Sequence, residues 1–372
     1  MQPFYEVMGI PAQTSVLLDS REEAAGYPTG DLSLAWCGVC GFVQNSRFDQ
    51  GLIDYSQPTE ESQAFSPKFK AYASELADDL VRAHDLVGKS VLEVGCGKGE
   101  FLISLGERGI GSGLGIDPGF LPRPGPLVGT VEFLREWYSS SDTGLTADFV
   151  LSRHLMEHIP NVAEFLGWLV SSTSRTPGAV LFTEVPDVMR VLQEGAFWDV
   201  YYEHCSYFTR GSLGRALANA GLDVHEVRLG FDDQYLLSTG SPGEGRAPSG
   251  LDSPEEVGSA AEVFSVTTGH LIATWRRTLA DEIESGGRVV IWGGGSKAVA
   301  FLSTVGVKGV TVVDINPFKQ GKWLPSVGVE VQAPTVLREH QPTLVIPMNV
   351  IYADEIRNDL EAMGLSPRLQ AL

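Results

Sequence analysis

Cysteine is scarce in this chain: four residues in 372, at Cys37, Cys40, Cys96 and Cys205. A disulfide framework over such a length needs more than that, so a reducing, cytoplasmic setting is expected. Long apolar runs are missing as well. No stretch of about 18 apolar residues occurs, which argues against a membrane span. The opening residues MQPFYEVMGIPAQ lack the basic-then-apolar order of a secretory signal. Basic side chains are outnumbered, 27 Lys and Arg against 47 Asp and Glu, for a formal net charge of −20. Nucleic acid would be repelled by that charge. A small phosphorylated molecule is not excluded, because backbone amides and one or two local cations can hold a diphosphate.

What is present is a globular composition, 43% hydrophobic and 20% charged, in a chain long enough for two domains and a smaller piece. Residues 1–60 show no regular pattern and hold the single C-x-x-C pair, Cys37 and Cys40. Residues 61–240 open with Phe69, Tyr72, Ala73, Leu76 and Leu80 at helical spacing. Strand-like runs at 91–95, 113–117, 148–152 and 179–185 then alternate with helical ones, which calls for a parallel sheet covered by helices. The Gly-, Pro- and Ser-rich stretch 239–254 predicts a linker. Beyond it, Val257, Ala261, Phe264, Leu271, Trp275, Leu279 and Ile283 mark a long helix, and residues 255–372 repeat the α/β theme with strands near 288–292, 309–314 and 343–348. The expected fold class is therefore α/β: two Rossmann-like units and a small irregular N-terminal segment.

The first unit carries a strand, Val91 to Val94, running into Gly95-Cys96-Gly97-Lys98-Gly99 and then a helix near 100–108. Gly95, Gly97 and Gly99 remove the Cβ atoms that would keep a ligand off the backbone. The free N–H groups and dipole of the helix start favour a carboxylate. Nicotinamide dinucleotides use similar turns, so the glycines alone do not name the ligand. Glu93, just before the turn, can accept from an ammonium group, and Asp117, ending the next strand, suits two ribose hydroxyls. An amino-acid end together with a nucleoside end describes S-adenosylmethionine (SAM), and the combination resembles the class I methyltransferases. In that frame Pro118 turns the chain under the nucleoside. Glu136 and Trp137, with Tyr138, are candidates for the adenine, and local packing accounts for the same residues equally well. Ser152 and His154, at the end of the fourth strand, pass beneath the methionine part.

Two histidine groups stand near the same sheet edge. His154 and His158 are four apart, which on a helix would put them on one face with Glu157 beside them. No third ligand follows, so no metal is expected there. Tyr201, Glu203 and His204 follow the fifth strand, at the carboxyl edge where α/β ligands bind. Histidine takes a proton near neutrality, so His204 is a candidate base; a helix-capping role for the same segment is the alternative. In the second unit, Gly293-Gly294-Gly295-Ser296-Lys297 could cradle a phosphate, and Asn316 and Lys319 follow the next strand. The spacing is not that of a P-loop, and a degenerate unit used only for packing is the other reading.

Taken together, WCGVCGFVQN, VLEVGCGKGEFL, YYEHCSYFT, GGGSKAVAFL and VVDINPFKQGKWLP resemble the sugar C-methyltransferases of antibiotic deoxysugar pathways. The resemblance spans nearly the whole chain. It implies an N-terminal zinc-binding piece (1–60), a SAM domain (61–240) and a C-terminal nucleotide-binding domain (255–372). The implied substrate is a nucleotide-linked keto sugar that is C-methylated beside its ketone. It implies His204 as the base, with Tyr201, Glu203 and His158 around it, and Gly293, Gly295, Ser296, Lys297, Asn316 and Lys319 as substrate ligands. Three features depart from the pattern. The zinc site calls for two C-x-x-C pairs and one is present, so zinc, a possible second cofactor by resemblance, is expected to be lost. Thr59 stands where a tyrosine near the substrate is usual, and Met348-Asn349 where Trp-Asn is usual. An O- or N-methyltransferase of another small metabolite, and a SAM-binding partner protein without turnover, remain the rival readings. Oligomeric state is not legible.

Overall fold

The computed structural model describes residues 1–55, 57, 59–121, 131–139, 142 and 144–372. The N-terminal segment, expected to be irregular, is an antiparallel sheet. It is built from β1 (Gln2–Pro11), β2 (Thr29–Trp36) and β3 (Val43–Asn45). Its two-residue periodicity is hidden because the β1–β2 register shifts between Pro3 and Tyr5 and again between Val7 and Ile10. Each irregularity moves the following side chains to the other face.

The central unit holds β4 (Ser90–Val94), β5 (Ser112–Ile116), β6 (Val131–Leu134), β7 (Phe149–Arg153), β8 (Val180–Pro186), β9 (Ser206–Tyr207), β10 (Leu222–Gly230) and β11 (Tyr235–Pro242). β9 leaves this unit to pair with β3 as the fourth strand of the N-terminal sheet. The other seven form one sheet in the order β10-β11-β8-β7-β4-β5-β6. β4 to β8 are parallel, and β11 is antiparallel to both of its neighbours. Strand order thus reverses beside β4, so the carboxyl ends of β4 and β7 open a crevice there. Helices Pro67–Ala83 and Glu100–Glu107 cover one face through Leu76, Leu80, Phe101, Leu102 and Leu105. Helices Val162–Thr173 and Arg210–Asn219 cover the other through Phe165, Leu166, Leu169, Leu213 and Leu217.

The predicted linker contributes its first residues to β11, and a helix spans Pro254–Glu284. Ser253 caps that helix, accepting from the Glu256 N–H while Glu256 returns the bond, and Pro254 occupies the first turn. The third sheet is wholly parallel: β12 (Val289–Trp292), β13 (Thr311–Val313), β14 (Val331–Gln332), β15 (Leu344–Pro347) and β16 (Arg368–Leu369), in the order β14-β13-β12-β15-β16. Every residue of β12 and β15 is buried, as befits parallel strands covered on both faces. One apolar core joins Ile10, Leu32 and Leu34 of the N-terminal sheet to Phe264 of the long helix and Ile291 and Phe301 beyond it. Among the described residues, no helix is long and apolar enough to cross a membrane.

Candidate functional site

The turn after β4 is shaped by its glycines. Gly95 has φ +77°, and a Cβ there would lie 2.6 Å from the Leu155 side chain. Gly97 has φ +52° and faces open space, so ligand atoms can approach its backbone. Asp117, at the end of β5, accepts from the N–H of Gly97 (2.9 Å) and of Gly119 (2.7 Å). Burial raises its carboxyl above the usual range, and those two amides partly offset it. Each oxygen still has a lone pair for a hydroxyl. Pro118 follows, its carbonyl accepting from Arg135. Trp137 is 61% exposed and sets its ring edge-on to Tyr55 at 5.8 Å. Glu136 is exposed beside it. Tyr138 turns inward instead and bonds Ser172 (2.7 Å).

Beneath the turn lies a set of buried polar groups with unused valence. Glu93 Oε2, Ser152 Oγ, Arg153 Nη2, His154 Nε2 and Glu157 Oε2 have no hydrogen-bond partner. Leaving a buried polar atom unpaired costs about 1–3 kcal/mol, so such a cluster marks a place where a polar ligand completes the structure. Burial pushes the Glu93 carboxyl up to about 8, with the Arg153 charge pulling the other way. A ligand ammonium is the group that would restore its charge. Arg153 pairs with Glu184 and lies over the Phe101 ring, 3.9 Å from its centre. Tyr72 donates to the other Glu184 oxygen (2.5 Å). His154 does not continue a helix toward His158. It adopts φ +52°, and its ring faces Glu157 and Glu184 at 3.7 and 3.6 Å. Burial disfavours its charge, but Glu184 and Glu157 outweigh that and hold it at about 9.

His158 ends a short 3-10 turn, Met156–His158. Its Nδ1 is 3.4 Å from the Tyr55 hydroxyl, and its ring stands edge-on to His204, centres 4.8 Å apart. Tyr201 and Tyr207 flank His204 at 4.7 and 5.9 Å. Burial, with His158 adding to it, drives the His204 imidazole down to about 3, so it is neutral at physiological pH. Glu203 is buried and accepts from both the N–H and the hydroxyl of Thr14. The Tyr201 hydroxyl donates to Asp199 (3.0 Å). The structure therefore brings Tyr201, Glu203, His204 and His158 together. It adds Tyr55 and Thr14, which sequence reasoning missed because they lie some 100 to 190 residues away along the chain. Thr59 is where a tyrosine was sought; Tyr55, four residues earlier, is the one that faces His158.

The second glycine turn repeats the backbone device of the first. Asp314 accepts from the Gly294 N–H (2.7 Å), as Asp117 does from Gly97, both across 20 residues. Gly293 and Gly295 flank that amide, and Ser296 opens the next helix, Ser296–Val305. The Lys319 ammonium sits 3.7 Å from Asp314, and Asn316 is buried with its Nδ2 unpartnered. Lys297 is not at the turn. Its ammonium is 3.0 Å from Asp199, because its position in the first turn of the helix projects it toward the loop that carries Tyr201. Met348 packs into the core, and Asn349 exchanges two hydrogen bonds with Gln234.

Cys37 and Cys40 are free thiols on the turn between β2 and β3. Among the described residues, the group with metal-ligand geometry is Glu157, His158 and His204, whose ligand atoms lie within 4.8 Å of one another. Two thiols without further ligands do not make a zinc site, so zinc does not fit the N-terminal segment. The group of Glu157, His158 and His204 leaves out His154 of the H-x-x-E-H pattern, and within it Glu157 faces His154 while His158 faces Tyr55, so no ligand set is assigned.

A seven-stranded sheet with one reversed strand, a glycine turn after its central strand and an acid ending the next strand define a class I methyltransferase fold. Comparison agrees. A profile described as a methyltransferase domain matches residues 69–227, and one described as a C-methyltransferase C-terminal domain matches residues 260–365. The C-methyltransferase NovU of Streptomyces niveus is 26% identical over 224 residues, covering 56% of this chain and 53% of that protein. A ubiquinone biosynthesis O-methyltransferase of Acinetobacter baumannii (strain AYE) is 30% identical over 169 residues, covering 39% of this chain and 68% of that one. An O-methyltransferase family structure from Burkholderia thailandensis superposes with a TM-score of 0.35 at 18% identity, over 48% of this chain and 59% of that one. The match to NovU thus spans about half of that protein's length. The chain belongs to the SAM-dependent methyltransferases.

Proposed function

We propose that this protein transfers a methyl group from SAM to the carbon beside a keto group of a nucleoside-diphosphate-linked sugar, with His204 as the base. The observation that carries the reading is the place of His204, whose imidazole is ringed by His158, Tyr201 and Tyr207. The SAM turn adjoins it: Leu155 packs on Gly95, and three residues later His158 touches His204.

SAM, when bound, supplies the methyl as an electrophile. Glu93 would take its ammonium, the start of helix 100–107 its carboxylate, and Asp117 its ribose hydroxyls. A ketone acidifies the neighbouring C–H, and a neutral imidazole can remove that proton. His158 is placed to share the proton, and the Tyr55 hydroxyl is a donor for the developing enolate oxygen. Glu203, held by Thr14, offers its remaining lone pairs to a sugar hydroxyl. The nucleotide reading is supported by the rim of the second turn. There Lys319 and Lys322 face Thr14–Leu17, and the Phe318 ring is 60% exposed with Lys98 5.9 Å from its centre. Lysines beside a partly exposed aromatic ring suit a diphosphate and a base, although Lys319 and Lys322 are paired with Asp314 and Asp19 and Phe65 packs on Phe318.

The test uses a dTDP-linked 4-keto sugar in deuterated water. The wild type should exchange the proton beside the ketone, and His204→Asn should lose exchange and methylation by roughly 100- to 10,000-fold while binding S-adenosylhomocysteine normally. Full methylation by His204→Asn would end the base assignment. Methylation at a hydroxyl without carbon-bound exchange would favour the O-methyltransferase reading, in which His204 deprotonates oxygen.

A further inference from the structure

Asp199 ties together parts of the molecule that the sequence keeps apart. It closes the 3-10 turn Phe197–Asp199, just ahead of the Tyr201–His204 segment. One carboxylate oxygen accepts from two partly buried cations, Arg190 (2.7 Å) and Lys297 (3.0 Å). The other is left to the Tyr201 hydroxyl (3.0 Å). Arg190 also reaches Glu194 (2.6 Å), so its charge is shared; the ammonium of Lys297 has Asp199 alone as its ion-pair partner among the described residues. Tyr201 is fixed further by Tyr207, whose hydroxyl accepts from the Tyr201 N–H and donates to its carbonyl. The Tyr201 ring then lies edge-on to His204. The helix carrying Lys297 packs on this loop, with Phe301 stacked on Phe197 at 5.9 Å.

We propose that Lys297 is a positioning residue by which the C-terminal α/β unit sets the catalytic segment: its ion pair with Asp199 fixes the Tyr201 hydroxyl and, through that ring, His204. The proposal rests on the reading of His204 as the reactive centre but adds a residue from another unit to it. A buried ammonium is costly to desolvate, and burial does lower the Lys297 pKa despite Asp199. Such a group persists where it is paired, and its removal leaves the partner's charge under-compensated. Asp199 is accordingly held down at about 2, burial working against its charge and Lys297 and Arg190 overcoming that.

The groups facing His204 are His158, Glu157 and His154 from the β7 side, Asp199 and Tyr201 from its own loop, and Tyr207 from β9. If Lys297 tunes this set through Asp199, losing its charge should make His204 easier to protonate. The experiment is a 15N histidine-ring NMR titration of the full chain, with S-adenosylhomocysteine binding as the check on folding. Lys297→Met should move the His204 midpoint upward, Lys297→Arg should leave it near wild type, and Asp199→Asn should move it downward. A folded Lys297→Met whose His204 titrates as in wild type would overturn the proposal. Should that variant not fold, Asp199→Asn decides: an unmoved midpoint overturns it too. No acceptor is needed, so failure to methylate a nucleotide sugar would leave this result readable and would count against the substrate reading alone.

Discussion

Two glycine turns in this molecule share one backbone device and differ in what surrounds it. At each, the carboxylate ending the next strand accepts from a glycine amide 20 residues earlier. The turn at Gly97 is backed by Glu93, Glu157 and Glu184, with five buried polar atoms left unpartnered. The turn at Gly294 is rimmed by Lys319 and Lys322. At the first turn Arg153 and His154 offset the glutamates, and at the second Lys319 and Lys322 pair with Asp314 and Asp19, so the unpartnered polar atoms of the first, rather than net charge, set the two apart. A turn motif therefore gives a ligand a backbone to lie on, and the side chains around it choose the ligand.

The comparison can be broken by mutation. If Asp117 holds the ribose as proposed, Asp117→Ala should weaken S-adenosylhomocysteine by roughly 100-fold in calorimetry. Asp314→Ala should leave that affinity alone. Equal loss in both variants would mean that the two turns are not specialised. Lys319→Ala has a smaller expected effect, about a tenfold weaker response to dTDP in a thermal-shift titration, with S-adenosylhomocysteine binding intact. No response of the wild type to any nucleoside diphosphate would remove the nucleotide reading of the second turn.

Acidity separates Glu93 at the first turn from His204 beside it. Folding raises Glu93 from near 4.5 to about 8. For a carboxyl raised on folding, the stabilising contribution is complete below the unfolded pKa and is lost as pH rises from 4.5 through 8. Unliganded wild type should show that decline in melting temperature, amounting to a few kcal/mol at most, and Glu93→Gln should lack it. His204 carries the opposite sign. Its folded pKa lies below the ordinary 6.5, so its contribution is present above 6.5 and falls away toward 3. The kcat/KM profile should then show no acid limb from His204 near 6.5. The smallest expected effect is that of a chelator. If His204 works as a base rather than a ligand beside Glu157 and His158, EDTA should leave turnover unchanged.

Local chemistry was readable in the chain wherever function depends on neighbours in sequence. Glu93 with the Gly95–Gly99 turn, Asp117, and the strands at 288–292, 309–314 and 343–348 all stand where periodicity and turn residues put them. The β10–β11 hairpin and the bulged N-terminal strands were not legible. Register shifts hide the alternation of β1, and an antiparallel insertion beside β8 is a choice of partner that no local pattern encodes.

The sequence by itself determined the nucleoside-binding crevice, because a β-turn-α unit places a strand end, a glycine turn and a helix start within a dozen residues of one another. Only the tertiary structure decided the rest of the site. Thr14 on Glu203, Tyr55 on His158 and Lys297 on Asp199 are contacts across 189, 103 and 98 residues. The physical reason is that a side chain such as Lys297 carries the same charge wherever it stands. Whether that charge meets a phosphate or a buried carboxylate is fixed by which helix face packs against which loop.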